Sequence, residues 1–318
     1  MGSPASGIVR RQKTLAATLC HSCRLAPGDS NKDMCRFVFY LGDSLPLADL
    51  VTRPENSLIN QSVRARERPE PLNGDGFGLG WYVDGHAMPA RFRSLTPAWS
   101  NANLDELARV TTSRCILAHV RAATGGNFDV AEANCHPFRC GRFAFMHNGH
   151  IPAFRRIRRP LMARLGNDGF HAIRGTTDTE HIFALVAERL RGHEDDSSCE
   201  LLADALAGGI RDLHELIDEH APGTHCYLNL VLTDGRHAAA CRYSSDPGYI
   251  DSLYLNSGSA YLCDGDHCWM EPDAGTARAI LVSSEPLNTG PRWQPVPRNH
   301  MALINHALEI ELRSIGPY

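Results

Sequence analysis

The chain has 318 residues, 43% of them apolar and 21% charged, with a formal charge of −4. That balance allows a sizeable buried core in one large domain or two ordinary ones. It gives no reason to expect nucleic acid or an anionic membrane as a partner, and no apolar run reaches the ~18 residues of a spanning helix. The eleven cysteines are an odd count without a framework. In a chain this long they read as reduced thiols in a cytosol-like compartment, so a cytoplasmic location is expected.

Residues 1–34 differ from the rest. They hold Arg10, Arg11, Lys13, Arg24 and Lys32 against Asp29 and Asp33, are rich in Ser, Ala and Gly, and show no sustained periodicity, which predicts disorder. An acid-poor leader fits a transit peptide in composition but not in amphipathicity. Met1-Gly2 with Ser6 matches a loose acylation pattern, and Cys20-His21-Ser22-Cys23 lacks the second pair of a zinc site. The segment is expected to be a propeptide, or to lie ahead of a start at Met34; either route exposes Cys35.

From Cys35 onward the pattern is mixed α/β. Arg36 to Leu41 reads as a buried strand with Cys35 at its start, Gly76 to Val83 as a glycine-interrupted strand, and Cys115 to Val120 as a third. Arg142 to Met146 is a fourth, expected to end where His147-Asn148-Gly149 turns. Thr177 to Arg191 reads as a helix with Ile182, Leu185, Val186 and Leu190 on one stripe, and Glu200 to His220 as another carrying Leu202, Leu206, Ile210, Leu213 and Ile217. Tyr227 to Thr233, Ala238 to Tyr243, Ser252 to Leu255 and Ala279 to Ser283 add strands. Strand blocks flanking two helices predict sheets layered with helices, not a βαβ repeat. No internal repeat and no linker after residue 34 divides the chain.

The chemistry lies in Cys35, Asn73-Gly74-Asp75-Gly76-Phe77-Gly78, His119-Val120-Arg121-Ala122-Ala123-Thr124 and His147-Asn148-Gly149. A cysteine freed as a chain terminus supplies Sγ as nucleophile and its own α-amine, of ordinary pKa about 7.7–8.0, as base. An Asn side-chain NH₂ and the next Gly N–H can form an oxyanion hole worth roughly 3–4 kcal/mol per donor. These are the parts for attacking an amide bond, and none of them calls for a cofactor.

Together with Thr176-Thr177-Asp178-Thr179-Glu180, these stretches resemble in order and spacing the class II glutamine amidotransferase domain. The resemblance covers 35–318 and implies the N-terminal-nucleophile hydrolase fold, a four-layer αββα sandwich of α+β class. Leu50-Val51-Thr52-Arg53-Pro54, Ile59-Asn60-Gln61-Ser62, Thr96-Pro97-Ala98-Trp99, Asn134-Cys135-His136-Pro137-Phe138 and Ser284-Glu285-Pro286-Leu287 further resemble the amidotransferase-like subunits of glutathione-degradation complexes. The resemblance implies Cys35 as nucleophile, Asn148 and Gly149 as oxyanion donors, Arg121 as partner of a γ-glutamyl α-carboxylate and Asp178 as partner of its α-ammonium. It places Asn73, Asp75 and Gly76 beside the pocket, where glycine lets backbone approach a ligand.

Bland alternatives stand beside each role. Arg121 could be a strand-end ion-pair partner, Asp178 an N-cap, Asn148-Gly149 a hairpin turn and Cys35 a core thiol. His119, His136 and His147 lack the spacing of a helical ligand pair and are expected to be structural, with no metal. Cys263-Asp264-Gly265-Asp266-His267-Cys268 is better explained by a Gly-centred hairpin turn than by zinc.

Only about thirty residues follow Ser284-Glu285-Pro286, too few for a synthase domain. The expectation is therefore a free-standing hydrolase of γ-glutamyl amides, with glutathione or a similar peptide as its small substrate. Three alternatives remain: a glutaminase subunit feeding a separate synthase, a γ-glutamyl hydrolase of ergothioneine synthesis, and a non-catalytic interaction subunit. A peptidase or synthase partner protein stays open.

Overall fold

A computed structural model of the chain describes residues 35–67, 72–122, 130–193, 195, 197–272, 275–316 and 318. The leader and the Ala123-Thr124 end of the stretch beginning at His119 lie outside the described residues. In chain order the elements are β1 Arg36–Pro46, α1 Ala48–Val51, α2 Leu58–Arg64, β2 Phe77–Trp81, β3 Ala90–Ser94, α3 Ala102–Val110, β4 Thr112–Val120, β5 Phe138–Cys140 and β6 Phe143–His150. There follow α4 Phe154–Ala163, α5 Asn167–Ala172, α6 Asp178–Leu190, α7 Cys199–His220, β7 Tyr227–Thr233, β8 Ala238–Ser244 and β9 Tyr254–Gly258. The chain closes with β10 Tyr261–Asp264, β11 His267–Met270, β12 Ala279–Ser283, β13 Gln294–Pro295, β14 His300–Ile304 and β15 Ile310–Ser314.

Two antiparallel sheets form the centre. A seven-stranded sheet runs β13-β9-β12-β1-β4-β2-β3 and a six-stranded sheet runs β15-β14-β8-β7-β6-β5. The pleat sends alternate residues to opposite faces, and this sorts the apolar runs into three layers. Phe37, Phe39 and Leu41 of β1 join Leu117 of β4, Met146 of β6 and Ala240 of β8 between the sheets. Val38 and Tyr40 turn the other way, to pack with Leu50, Leu58 and Leu104 of α1, α2 and α3. Phe145 of β6 and Leu230 of β7 pack against Ile182 and Val186 of α6 and Leu206 and Ile210 of α7. Helices thus cover both outer faces, and the architecture is the four-layer αββα sandwich. The stripes expected on the two long helices are both buried in that last cluster.

Several boundaries and one turn differ from expectation. His147, Asn148 and Gly149 do not turn: β6 continues through them, pairing in register with Leu230, Asn229 and Leu228 of β7. Gly149 is required there because a Cβ would lie 1.9 Å from the Tyr227 carbonyl oxygen. Gly78 on β2 faces a similar approach, 2.0 Å from the carbonyl oxygen of His136. The strand expected at Ser252 to Leu255 is shifted to Tyr254–Gly258. The Gly-centred turn at 263–268 is present, with Gly265 at φ 61°. The expectation of reduced thiols throughout fails there, because Cys263 and Cys268 lie opposite each other in the hairpin and form a disulfide. No described helix is long and apolar enough to cross a membrane.

Candidate active site

Strand register assembles the site. Arg36 of β1 pairs with Val120 of β4, so the residues just beyond, Cys35 and Arg121, come side by side at the same sheet end. The Cys35 thiol donates to the Ala122 carbonyl at 3.7 Å. On the other side of β4, Phe77 of β2 also pairs with Val120. The loop ahead of β2 therefore follows onto Arg121: the Arg121 amide donates to the Gly76 carbonyl at 2.8 Å, and the Asp75 amide to the Arg121 carbonyl at 3.0 Å. Asn73 is buried, its amide held by the Ser62 carbonyl.

The second sheet and α6 supply the opposite wall. Thr177 caps α6, its hydroxyl accepting from the Glu180 amide; Asp178 is the first helical residue, not the cap. One Asp178 oxygen accepts from the Thr179 amide at 2.8 Å and the other reaches across to the Ile151 amide at 3.2 Å, just past β6. His147 bridges the same elements, with Nδ1 2.9 Å from Thr179 Oγ1 and Nε2 3.3 Å from the Tyr227 carbonyl.

Cys35, Arg121, His136, His147, Gly149 and Asp178 line one small cavity of about 40 Å³, room for about one water. Arg121 and Asp178 are both buried, at 4% and 7% exposure. Asn148, Asn73, Asp75 and Gly76 do not line it. Asn148 faces the seam between the sheets instead, its Nδ2 donating to Ser284 Oγ at 3.3 Å. Its Oδ1 is buried without a hydrogen-bond partner among the described residues.

Burial pushes the Cys35 thiol above its ordinary value; Asp178 adds to this, while the Ala122 contact, Arg121 and Arg36 pull only part of the way back. Two histidines of the cavity, His136 and His147, are held toward the neutral form. Burial holds His136 well below the usual histidine range and lowers His147 also, against the pull of Asp178. His119, its ring tilted against that of His136 with centres 3.9 Å apart, is held down to about 3 by burial. His119 Nε2 lies 3.2 Å from the His147 carbonyl oxygen, and among the described residues no cluster of three or more His, Cys, Asp or Glu could hold a metal. The thiol's hydrogen-bond partner is a carbonyl, and among the described residues no side-chain base holds its proton.

Beyond the expected set, a buried ion pair braces Cys35. Arg36 Nε donates to Glu285 Oε1 at 2.9 Å, and its Nη1 donates to the Cys35 carbonyl at 2.9 Å. Both side chains are at most 1% exposed. Glu285 also accepts from the amides of Arg66 and Glu67. Its neighbour Ser284 accepts at Oγ from both Phe37 N and Asn148 Nδ2, tying β1 to β6. The sequence signal for the pair was present: one Arg opening an apolar strand and one Glu closing another.

The class-II glutamine amidotransferase family profile matches residues 55–312, and the chain belongs to that family. It is 35% identical over 298 residues to the probable glutamine amidotransferase DUG3 of Saccharomyces cerevisiae, covering 85% of this chain and 82% of that one. It is 28% identical to the gamma-glutamyl-hercynylcysteine sulfoxide hydrolase of Mycolicibacterium smegmatis, over 86% of this chain and 97% of that one. Among solved structures, a glutamine aminotransferase class-II domain protein from Silicibacter pomeroyi superposes with a TM-score of 0.62 at 25% identity, covering 89% of this chain and all of that one. The phosphoribosylpyrophosphate amidotransferase of B. subtilis shares the fold, with a TM-score of 0.55 at 15% identity over 89% of this chain and 50% of that one. The protein is a class II glutamine amidotransferase-like amidohydrolase.

Proposed function

We propose that this enzyme hydrolyses γ-glutamyl amide bonds with Cys35 as nucleophile, acting on glutathione or a similar γ-glutamyl peptide and releasing glutamate. One observation carries the reading: a buried cation, Arg121, and a buried anion, Asp178, share one cavity with the Cys35 thiol. That pair matches the α-carboxylate and α-ammonium of a glutamyl group, and the guanidinium suits the planar carboxylate.

The active species begins at Cys35, within a domain of residues 35–318. In the longer chain the Cys35 nitrogen is an amide and cannot take a proton, and burial disfavours the thiolate. Once freed, the α-amine accepts the thiol proton, Sγ attacks the γ-carbonyl, and the tetrahedral oxyanion is received by the Gly149 N–H and the Asn148 NH₂. The C–N bond breaks as the leaving amine takes the proton. Water, deprotonated by the same α-amine, then cleaves the thioester to glutamate and regenerates the thiol. Half a turn of the Asn148 amide lets Ser284 Oγ donate to Oδ1 and moves the NH₂ to where Oδ1 now lacks a partner. Asp75 and Gly76 hold the Arg121 backbone, and the buried Asn73 supports their loop.

The test is glutamate release by Cys35-terminated protein from glutathione, γ-glutamylcysteine and glutamine. Release from the peptides at least matching glutamine supports the reading; release from glutamine alone makes this a glutaminase subunit for a separate synthase, and no release removes the hydrolase. The mycobacterial relative favours a second reading, in which the leaving half is a γ-glutamyl-linked sulfoxide, and that amide belongs in the same panel.

A further inference from the structure

A second cavity, of about 440 Å³, lies between β3, β5, α5 and α6. It is distinct from the catalytic one: Thr177, Asp178 and Thr179 face Cys35, whereas Glu180, on the same first turn of α6, lines this second space. Its floor is apolar and includes Phe138 and Phe183, both buried in the helix-side core. Its volume falls in the range of roughly 300–1,000 Å³ typical of small-molecule sites.

The two ends differ in charge. At one, Arg191 is paired with Asp168 at 2.6 Å and Glu188 at 3.1 Å. At the other stand Arg91, Arg93, Arg139 and Arg174. The carboxylate lining that end is Glu180, whose two oxygens are taken by the Arg174 and Gly175 amides. Arg93 reaches the exposed Glu132 only at 3.8 Å. Backbone carbonyls aim the guanidinia without neutralising them: Arg91 donates to Pro137 at 3.3 Å and Arg139 to Pro89 at 2.8 Å. In a chain of net charge −4, this is a local excess of the opposite sign. Burial and the charges of Arg93 and Arg139 hold Arg91 down to about 10, a repulsion that an anion would relieve.

We propose that this cavity binds a small organic anion, with a carboxylate or phosphate on Arg91, Arg93 and Arg139 and an apolar body against Phe138 and Phe183. The charge supplies orientation and the floor supplies burial, a combination that neither a free inorganic anion nor a neutral hydrocarbon satisfies. The site does not depend on the γ-glutamyl reading.

Four probes test it by calorimetry on the full chain: phenylacetate and phenyl phosphate, benzyl alcohol as the uncharged body, and inorganic phosphate as the anion without a body. Saturable binding of at least one phenyl anion is expected, about tenfold or more tighter than either control, and the tighter of the two assigns the head group. Arg91→Met with Arg93→Met should weaken it about tenfold or more, the scale of one lost charge-assisted hydrogen bond. Ala187→Phe, which fills the cavity from α6, should abolish it, while Cys35→Ala should leave it unchanged. The proposal is overturned if no phenyl anion binds saturably, if either control binds as tightly, or if affinity survives both the arginine and the filling variants.

Discussion

Removing Glu285 separates what the buried ion pair does for stability from what it does for Cys35. Glu285→Ala takes the Glu285 carboxylate away from the Arg36 guanidinium, 1% exposed, and breaking such a buried pair from one side costs about 3–5 kcal/mol. The Arg66 and Glu67 amides also lose an acceptor, but both residues are exposed and can turn to water, so they add little. Against a typical domain stability of about 5–15 kcal/mol, this is about a fifth or more of the total. Arg36→Met should cost somewhat less, since the carboxylate keeps two backbone donors. The double variant Arg36→Met/Glu285→Leu replaces the pair with apolar volume and should recover most of the loss, because such exchanges are often neutral. Urea unfolding followed by tryptophan fluorescence gives the three stabilities and the coupling between the sites. Turnover should not recover with stability, since the double variant still lacks the Arg36 donor to the Cys35 carbonyl. Single variants losing under about 1 kcal/mol, or a double variant losing the sum of the singles, would refute the reasoning.

Three further outcomes follow from the site. Cys35→Ala should abolish glutamate release with an unchanged melting temperature, and full activity in a preparation whose sole N-terminus is Met1 would sink the maturation step. N-acetyl-glutathione should show kcat/KM at least roughly tenfold below glutathione, because Asp178 would face no ammonium; equal values would remove Asp178 from recognition, and Arg121→Lys should also be poor because a point charge cannot copy the fork. Acid should destabilise the fold through His119: its folded value lies near 3, below the ordinary ~6.5 of the unfolded chain, so the unfolded state takes a proton the native state refuses. Stability is complete above about pH 6.5 and falls as pH drops toward 3; His119→Asn should flatten that loss in urea titrations at pH 7 and pH 5, and an unchanged slope would refute it.

The long periodic elements were legible because burial on one face leaves a stripe, as in α7. In β1 the apolar run from Phe37 to Leu41 announced a strand but not its orientation, since both faces are buried, one between sheets and one under helices. Asn148-Gly149 misled because Asn-Gly is a strong local turn signal, whereas here the glycine answers a close approach of β7 invisible in sequence. α4 was missed because Pro160 and a run of arginines obscure Phe154, Ile157 and Leu161, its buried contacts. The pairing of Cys263 with Cys268 follows from hairpin register, which a count of cysteines does not carry. Arg121, Asp178 and Cys35 were found as motif members; that they share a cavity depends on strand pairings between residues over eighty positions apart.

The parts of the site ride on different sheets: Cys35 and Arg121 extend β1 and β4, while Gly149 belongs to β6. The distance between the Cys35 thiol and Gly149 is therefore set by the thickness of the layer between the sheets, where Ala144, Ala238 and Ala240 oppose Phe37, Phe39 and Leu117. Small side chains on one sheet set against large ones on the other act as a spacer. A methyl group added far from the cavity would wedge the sheets apart by a fraction of an ångström, a strain that a packed interior transmits. Turnover should then be lost well before the fold is, and compensating changes should arise as paired volume exchanges across that layer.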